Sequence, residues 1–293
     1  MNKVFKIVAL TGFVALIFSA CSKEYSFEDP IGSSGAGPVI GTNCVIGKIV
    51  DFDTISKTGL NAINYSFSSS TGRLNSLVEF DSIGMNNVLT HALIYNVDTI
   101  FLDASYYFVV DGSGHVVKLH GLSDPYDPFS QTLDFEYTYD NAGRIIKRTV
   151  TDPTLFATPF LRSTYTYSGN NMTGVAVVLM DNSGNTAPLK NITIGYQFDR
   201  VPRNYMNILP DSDELSPFMA ALNFGQKALN PVNKIQVINL DPFTGTPVDT
   251  ATTVFSKYSY SRDGYVLGVD VSGDDIKALP FALGRNNFEY FCR

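Results

Sequence analysis

Few residues of this 293-residue chain are spaced to make or break bonds. His91, His115 and His120 are its only histidines, and none stands in a zinc-type spacing such as His-x₃-His beside an acid. The chain has no nucleophile elbow, no His-Glu-x-x-His helix, no phosphate loop and no dinucleotide fingerprint. "GSSGAG" (32–37) falls in a Gly/Ser/Pro stretch, not between a strand and a helix. "DGSG" (111–114) and "DNSGN" (181–185) look faintly like calcium loops, but both lack the later bidentate acid and fit ordinary hairpin turns. The 28 acids offer carboxylates that, suitably paired, hydrolyse glycosides, but spacing singles out no pair. The residues therefore point away from an enzyme, and to no cofactor and no metal.

The cysteines carry more information. Lys3 and Lys6 precede an apolar run from Ile7 to Phe18, and Ser19-Ala20-Cys21 follows. A basic start, a short apolar core and small residues describe a secretory signal over 1–20. "IFSAC" resembles a bacterial lipobox, with Phe18 in place of the usual Leu, which would make Cys21 the lipidated N-terminus of the mature chain. Residues 21–42 then form a Gly/Ser/Pro-rich tether. Its early acids, Glu24, Glu28 and Asp29, resemble the surface-export signal of Bacteroidetes lipoproteins. Outer-membrane anchoring is expected, either surface-exposed or facing the periplasm. With Cys21 lipidated, Cys44 and Cys292 remain in an oxidising compartment and read as a disulfide between the first and last strands. Removing residues 1–20 takes away Lys3 and Lys6 and no acid, leaving 19 basic against 28 acidic residues, a net charge of −9. Such a chain has no electrostatic footprint for nucleic acid.

The elements that would position any site are repeated. "FEYTYDNAGRI" (135–145) sets Phe135, Tyr137 and Tyr139 at every second position, then a turn ending in Gly143. Similar runs pair Tyr65 with Phe67 before Gly72, Tyr106 with Phe108 before Gly114, Tyr165 with Tyr167 before Gly174, and Tyr258 with Tyr260 before Gly264. Partial copies lie at Tyr196-Gln197-Phe198 and Phe288-Glu289-Tyr290. Residues i and i+2 of a strand share a face, and glycine supplies the positive φ of a tight turn. Each run is a β-hairpin with its rings toward a core. The series predicts one all-β domain over 43–293, an antiparallel meander forming a large curved sheet or soluble barrel.

The glycine turns, most closely "YTYDNAGRIIKRT", resemble the tyrosine–aspartate (YD, or RHS) repeat. The order of features from 44 to 292 also resembles a family of Bacteroidetes lipoproteins with a porin-like β fold. Those features are the lipobox cysteine, Cys44 opening the first strand, the hairpins, "YQFDRVPRNYMNI", "LNFGQKALNPVNKI" and "YSYSRDGYVLGVDV". The resemblance implies a meander able to curl into a barrel. It implies no activity. Charges on the polar strand faces, such as Asp134, Glu136 and Lys147, oppose a lipid-facing exterior.

Three Pro-rich stretches interrupt the meander, "SDPYDPFSQ" (123–131), "TDPTLFATPF" (151–160) and "LDPFTGTPVDT" (240–250). Their aromatics Tyr126, Phe129, Phe156, Phe160 and Phe243 are candidates for a ligand-binding rim, or else pack on the bases of their own loops. The fourth interruption, about Asp199 to Asn233, holds the helix signal: Ser216 as N-cap, Pro217 first, Gly225 as stop. That helix is expected to cover an open end. Together these readings favour a membrane-anchored, non-catalytic binding module on the cell envelope, its partner a glycan, a small ligand or an envelope protein. A self-assembling β-repeat and a glycan hydrolase are the alternatives.

Overall fold

In the computed structural model the repeat is a hairpin of fixed construction. The structure describes residues 44–292 apart from 54–57, 81–86, 124–128, 157, 204–205 and 275–280. Asp140 opens one turn: its Oδ1 accepts the backbone N–H groups of Ala142 and Arg144 at 2.9 and 3.0 Å. Gly143 sits at φ +74°, and Arg144 Nε returns to Asp140 Oδ2 at 2.8 Å. Asp111 treats Ser113 and His115 in the same way, and Asp181 treats Ser183 and Asn185 likewise. An aspartate that gathers two orphan N–H groups closes a turn locally, and glycine adopts the positive φ without steric conflict.

Among the described residues these hairpins generate seventeen strands. They are β1 (Cys44–Asp53), β2 (Thr58–Phe67), β3 (Leu74–Phe80), β4 (Asn87–Ala92), β5 (Ile94–Asn96) and β6 (Thr99–Phe101). Next come β7 (Tyr107–Val110), β8 (Val116–Leu122), β9 (Thr132–Tyr139), β10 (Ile145–Thr151), β11 (Leu161–Ser168) and β12 (Asn171–Met180). The last are β13 (Thr186–Tyr196), β14 (Val232–Leu240), β15 (Pro247–Tyr260), β16 (Val266–Gly273) and β17 (Gly284–Cys292). β4 and β5 are one course of chain interrupted at Leu93. Neighbours in sequence pair antiparallel around the sheet, and β1 also pairs with β17, Cys44 opposite Cys292. The Cys44–Cys292 disulfide locks that seam. The result is a nearly closed all-β barrel, its ladder thinnest where the three-residue β6 pairs with β5 alone on that side.

Strict up-and-down order sorts the connections by end. The turns at 68–73, 97–98, 111–115, 140–144, 169–170 and 261–265, and the long segment 197–231, lie on the rim that holds Cys44 and Cys292, here the cysteine rim. The connections at 102–106, 123–131, 152–160, 181–185, 241–246 and 274–283 lie on the opposite, loop rim.

The core is inside the ring. Leu133, Phe135 and Tyr137 of β9 are buried while Glu136 and Thr138 are exposed, and the same alternation puts Tyr65, Phe108, Leu119, Tyr165, Val175, Ile192, Ile235 and Phe255 inward. The outer face carries ion pairs at mid-strand, Asp134 with Lys118 at 3.0 Å and with His120 at 2.7 Å. Burial alone would raise the Asp134 carboxyl, but the hydrogen bonds and charges of His120 and Lys118 hold it below its usual value. An apolar interior with a charged exterior is the reverse of a membrane-spanning barrel.

The segment 197–231 corrects one expectation. It does not lay a helix over an open end. It enters from the cysteine rim, fills the interior and returns. Met206, Leu209, Leu215, Phe218, Met219 and Phe224 are all buried within the core cluster. The helical part is a short 3-10 helix, Asp213–Phe218, with Ser212 as its N-cap residue and Pro217 inside it. Ser216 and Pro217 therefore fall four residues later in the element than capping logic placed them. Proline lacks an N–H and disfavours the α conformation at the residue before it, so Ser216-Pro217 favours a short turn over a continuing helix.

Candidate functional site

The interior segment is held by the first tyrosine of several repeats. The Tyr65 hydroxyl donates to the Pro217 carbonyl at 3.0 Å and the Tyr106 hydroxyl to the Glu214 carbonyl at 3.3 Å. The Tyr137 hydroxyl donates to Glu214 Oε1 at 3.1 Å, and that of Tyr165 to Asp211 at 3.1 Å. At the centre Arg148 of β10 grips Glu214 with two bonds, Nε to Oε1 at 2.9 Å and Nη2 to Oε2 at 2.8 Å. Its Nη1 reaches Asp211 at 3.3 Å, and its guanidinium lies 5.3 Å from the centre of the Phe135 ring. Burial pushes the Glu214 carboxyl up and the Arg148 charge opposes it. Burial and the charge of Glu214 push the Tyr137 phenol well above its usual value. The Asp211 and Glu214 carboxylates lie side by side, each side chain only 2% exposed, and both are engaged by one arginine. They hold the plug in place and face no solvent.

Sequence reasoning missed this cluster. Arg148 stands between exposed Lys147 and half-buried Thr149, and a register shift between Ile145 and Lys147 is what turns it inward. A bulge of that kind reverses the facing of every later residue.

The loop rim gathers the three Pro-rich connections, as the parity of the meander requires. Phe129 is 94% exposed and Phe243 96% exposed. Phe243 sits at the tip of a turn whose Asp241 accepts the N–H groups of Phe243 and Thr244 at 2.9 and 2.8 Å. Phe156 is 40% exposed, with Leu155 beside it also exposed. The Phe156 ring centre lies 6.1 Å from that of Phe160, and Phe160 packs on the core. The structure thus pairs Phe156 with Phe160, turns Phe129 and Phe243 to solvent, and buries only the foot of the rim. Tyr126 and Cys21 lie outside the described residues. The described connections on this rim contain Asp103, Asp152, Asp181, Asp241 and Asp274 and no Lys or Arg.

No family model matches the chain, and no curated protein matches it. Among solved structures it is similar to a porin-like protein from Bacteroides uniformis ATCC 8492, at 12% identity and a TM-score of 0.49, over 84% of this chain and 98% of that one. It is similar also to a porin-like protein from Bacteroides vulgatus ATCC 8482, at 14% identity and a TM-score of 0.48, over the same shares. These likenesses concern the course of the chain. The all-β meander and the Cys44–Cys292 bridge expected from sequence are present; the site on the loop rim rests on geometry alone.

Proposed function

We propose that this chain is a lipid-anchored, non-catalytic envelope protein that binds a glycan or an envelope partner at its loop rim. The observation that carries the reading is that the loops bearing Phe129, Phe156 and Phe243 share the end opposite Cys44, with all three rings exposed. A filled interior leaves the two rims and the outer wall as working surfaces. Phe156 and Phe243 stand on turns fixed by Asp152 and Asp241 hydrogen bonds and offer flat apolar contacts at low ordering cost. The surrounding aspartates favour hydroxyl-rich or cationic ligands and repel polyanions. Anchoring through Cys21 would hold the cysteine rim toward the membrane and turn the loop rim outward. Pairing of β1 with β17 covers both outer edges of the meander, which weakens the case for assembly through free strand edges.

The test is an array of immobilised polysaccharides and peptidoglycan fragments, probed with the parent and with Phe129→Ala/Phe243→Ala. The reading expects at least one retained glycan whose affinity falls tenfold or more in the double variant and is unchanged in Phe198→Ala, which alters the other rim. A parent whose every interaction survives the double substitution would overturn it.

A further inference from the structure

The two rims differ in charge as well as shape. On the cysteine rim the segment Phe198-Asp199-Arg200-Val201-Pro202-Arg203 interleaves apolar and basic residues, with Asp199 as its one acid. Phe198 is 77% exposed, Val201 60%, and Arg200 and Arg203 are exposed beside them. Phe198 lies two residues past the inward Tyr196, beyond the end of β13, and faces solvent. The segment is nevertheless pinned. Gln197 N–H donates to the Pro231 carbonyl at 2.9 Å, Asn230 Nδ2 to the Arg200 carbonyl at 3.1 Å, and Arg203 N–H to the Gly264 carbonyl at 2.9 Å. The Arg200 guanidinium lies 5.0 Å from the centre of the Tyr260 ring. Leu229, at the far end of the same long connection, is exposed as well.

We infer that this segment is a membrane-contact surface: Phe198 and Val201 enter the interfacial layer of a bilayer while Arg200 and Arg203 meet anionic lipid headgroups. The inference rests on the anchored reading above. The chain enters the barrel at Cys44, on this same rim. A Gly/Ser/Pro linker of the length between Cys21 and Cys44 has an r.m.s. span of roughly 25 Å, so an anchored rim would sit at about millimolar effective concentration with the surface. A patch too weak to bind alone would then stay docked. Apolar insertion beside basic residues is the recognition mode of peripheral membrane surfaces, and each arginine near an anionic leaflet raises affinity about fivefold. The described connections of the opposite rim pair their exposed phenyl rings with aspartates, so the basic segment 198–203 would favour contact through the cysteine rim.

The chain contains no tryptophan, so Phe198→Trp installs a single reporter at an exposed site. The full chain is purified from membranes and reconstituted into vesicles with about 30% phosphatidylglycerol. Brominated lipids then quench any interfacial indole, and the mass of the N-terminal peptide reads lipidation of Cys21. The inference expects quenching at Phe198→Trp, none at Phe243→Trp, and a quenched fraction at least fivefold lower when Arg200→Gln/Arg203→Gln is added. Val201→Trp repeats the measurement at a second site. A lipidated chain whose Phe198→Trp and Val201→Trp are unquenched, or whose Phe243→Trp is quenched equally, overturns the membrane contact and leaves the anchor standing. A missing lipid adduct overturns the anchor and this inference with it.

Discussion

The Tyr139 hydroxyl donates to the Val116 carbonyl at 2.6 Å, joining β9 to the first residue of β8 on the cysteine rim. Those strands are connected through the loop rim, so at this end no turn links them. The bond recurs. Tyr167 reaches Ile145, Tyr196 reaches Met172, Tyr258 reaches Val232 and Tyr290 reaches Val266, at 2.7–2.8 Å. The residue before the acceptor often covers the same ring: His115 stacks on Tyr139 at 4.8 Å, Arg144 lies 5.1 Å from Tyr167, and Tyr265 lies 4.8 Å from Tyr290. The two tyrosines of "YTY" thus do different work. Tyr137 holds the interior segment and Tyr139 fastens neighbouring hairpins.

Each fastening bond should contribute about 1 kcal/mol, the net worth of one protein hydrogen bond, with more where the carbonyl is left unpaired. Tyr139→Phe, Tyr167→Phe and Tyr290→Phe keep the ring and lose the donor. Urea denaturation should show each variant destabilised by roughly that amount at unchanged m value; three neutral variants would remove the hydroxyls from the account.

The Arg148 cluster is the most expensive to break. Arg148→Met leaves two buried carboxylates without their counter-charge and should cost about 3–5 kcal/mol. Adding Asp211→Asn and Glu214→Leu should recover most of that loss. The comparison of denaturation midpoints checks both statements, and an Arg148→Met chain of parental stability would contradict them.

Gly225 marks the mouth of the interior segment. Its φ is +83°, and a Cβ there would collide with the Gly143 carbonyl and the Tyr139 ring. Gln226 N–H donates to that same carbonyl at 2.7 Å. Gly225→Ala should therefore cost at least about 2 kcal/mol through strain and lost contact. Gly112→Ala, where a Cβ meets nothing within 4 Å, should be neutral or slightly stabilising. Thermal unfolding of the pair gives the contrast.

The turn aspartates set an acid limit. The Arg144 N–H holds the Asp140 carboxyl below its usual value, the Asn185 side chain does so for Asp181, and the Thr244 N–H for Asp241. A carboxyl depressed in the folded state takes up its proton first in the unfolded chain. The stability these three contribute is full above an unfolded value of about 4 and is lost as pH falls through the folded values. Denaturation midpoints should hold between pH 7 and 5 on their account and drop below pH 4. The drop should be shallower in Asp140→Asn; a midpoint that rises on acidification would contradict the assignment.

The repeat was readable because its determinants are local. Tyr137, Tyr139, Asp140 and Gly143 fix a strand face and a turn within seven residues, and periodicity of two needs no partner to be seen. The Cys44–Cys292 pair was readable from compartment and count. The interior segment was not. "SPFMAALNFG" carries helix signals, but its inward course is anchored at Glu214 and Pro217 by Tyr65, Tyr106, Tyr137 and Arg148, which lie 66 to 152 residues away. The inward turn of Arg148 depended on a one-residue bulge that composition does not announce. The common rim of Phe129, Phe156 and Phe243 was implicit in strand parity, but only once the number of strands between them was known.

The central structural claim is that the barrel interior is filled by residues 206–224, which leaves function to the rims. Hydrogen exchange at the amides of Leu215, Met219 and Leu222 tests it most directly, since each is buried and donates within the segment. The account predicts protection equal to that of the β9 and β10 amides, with exchange only on global unfolding. Rapid exchange at those three amides while the strands stay protected would show a segment that leaves the interior, and would contradict the claim.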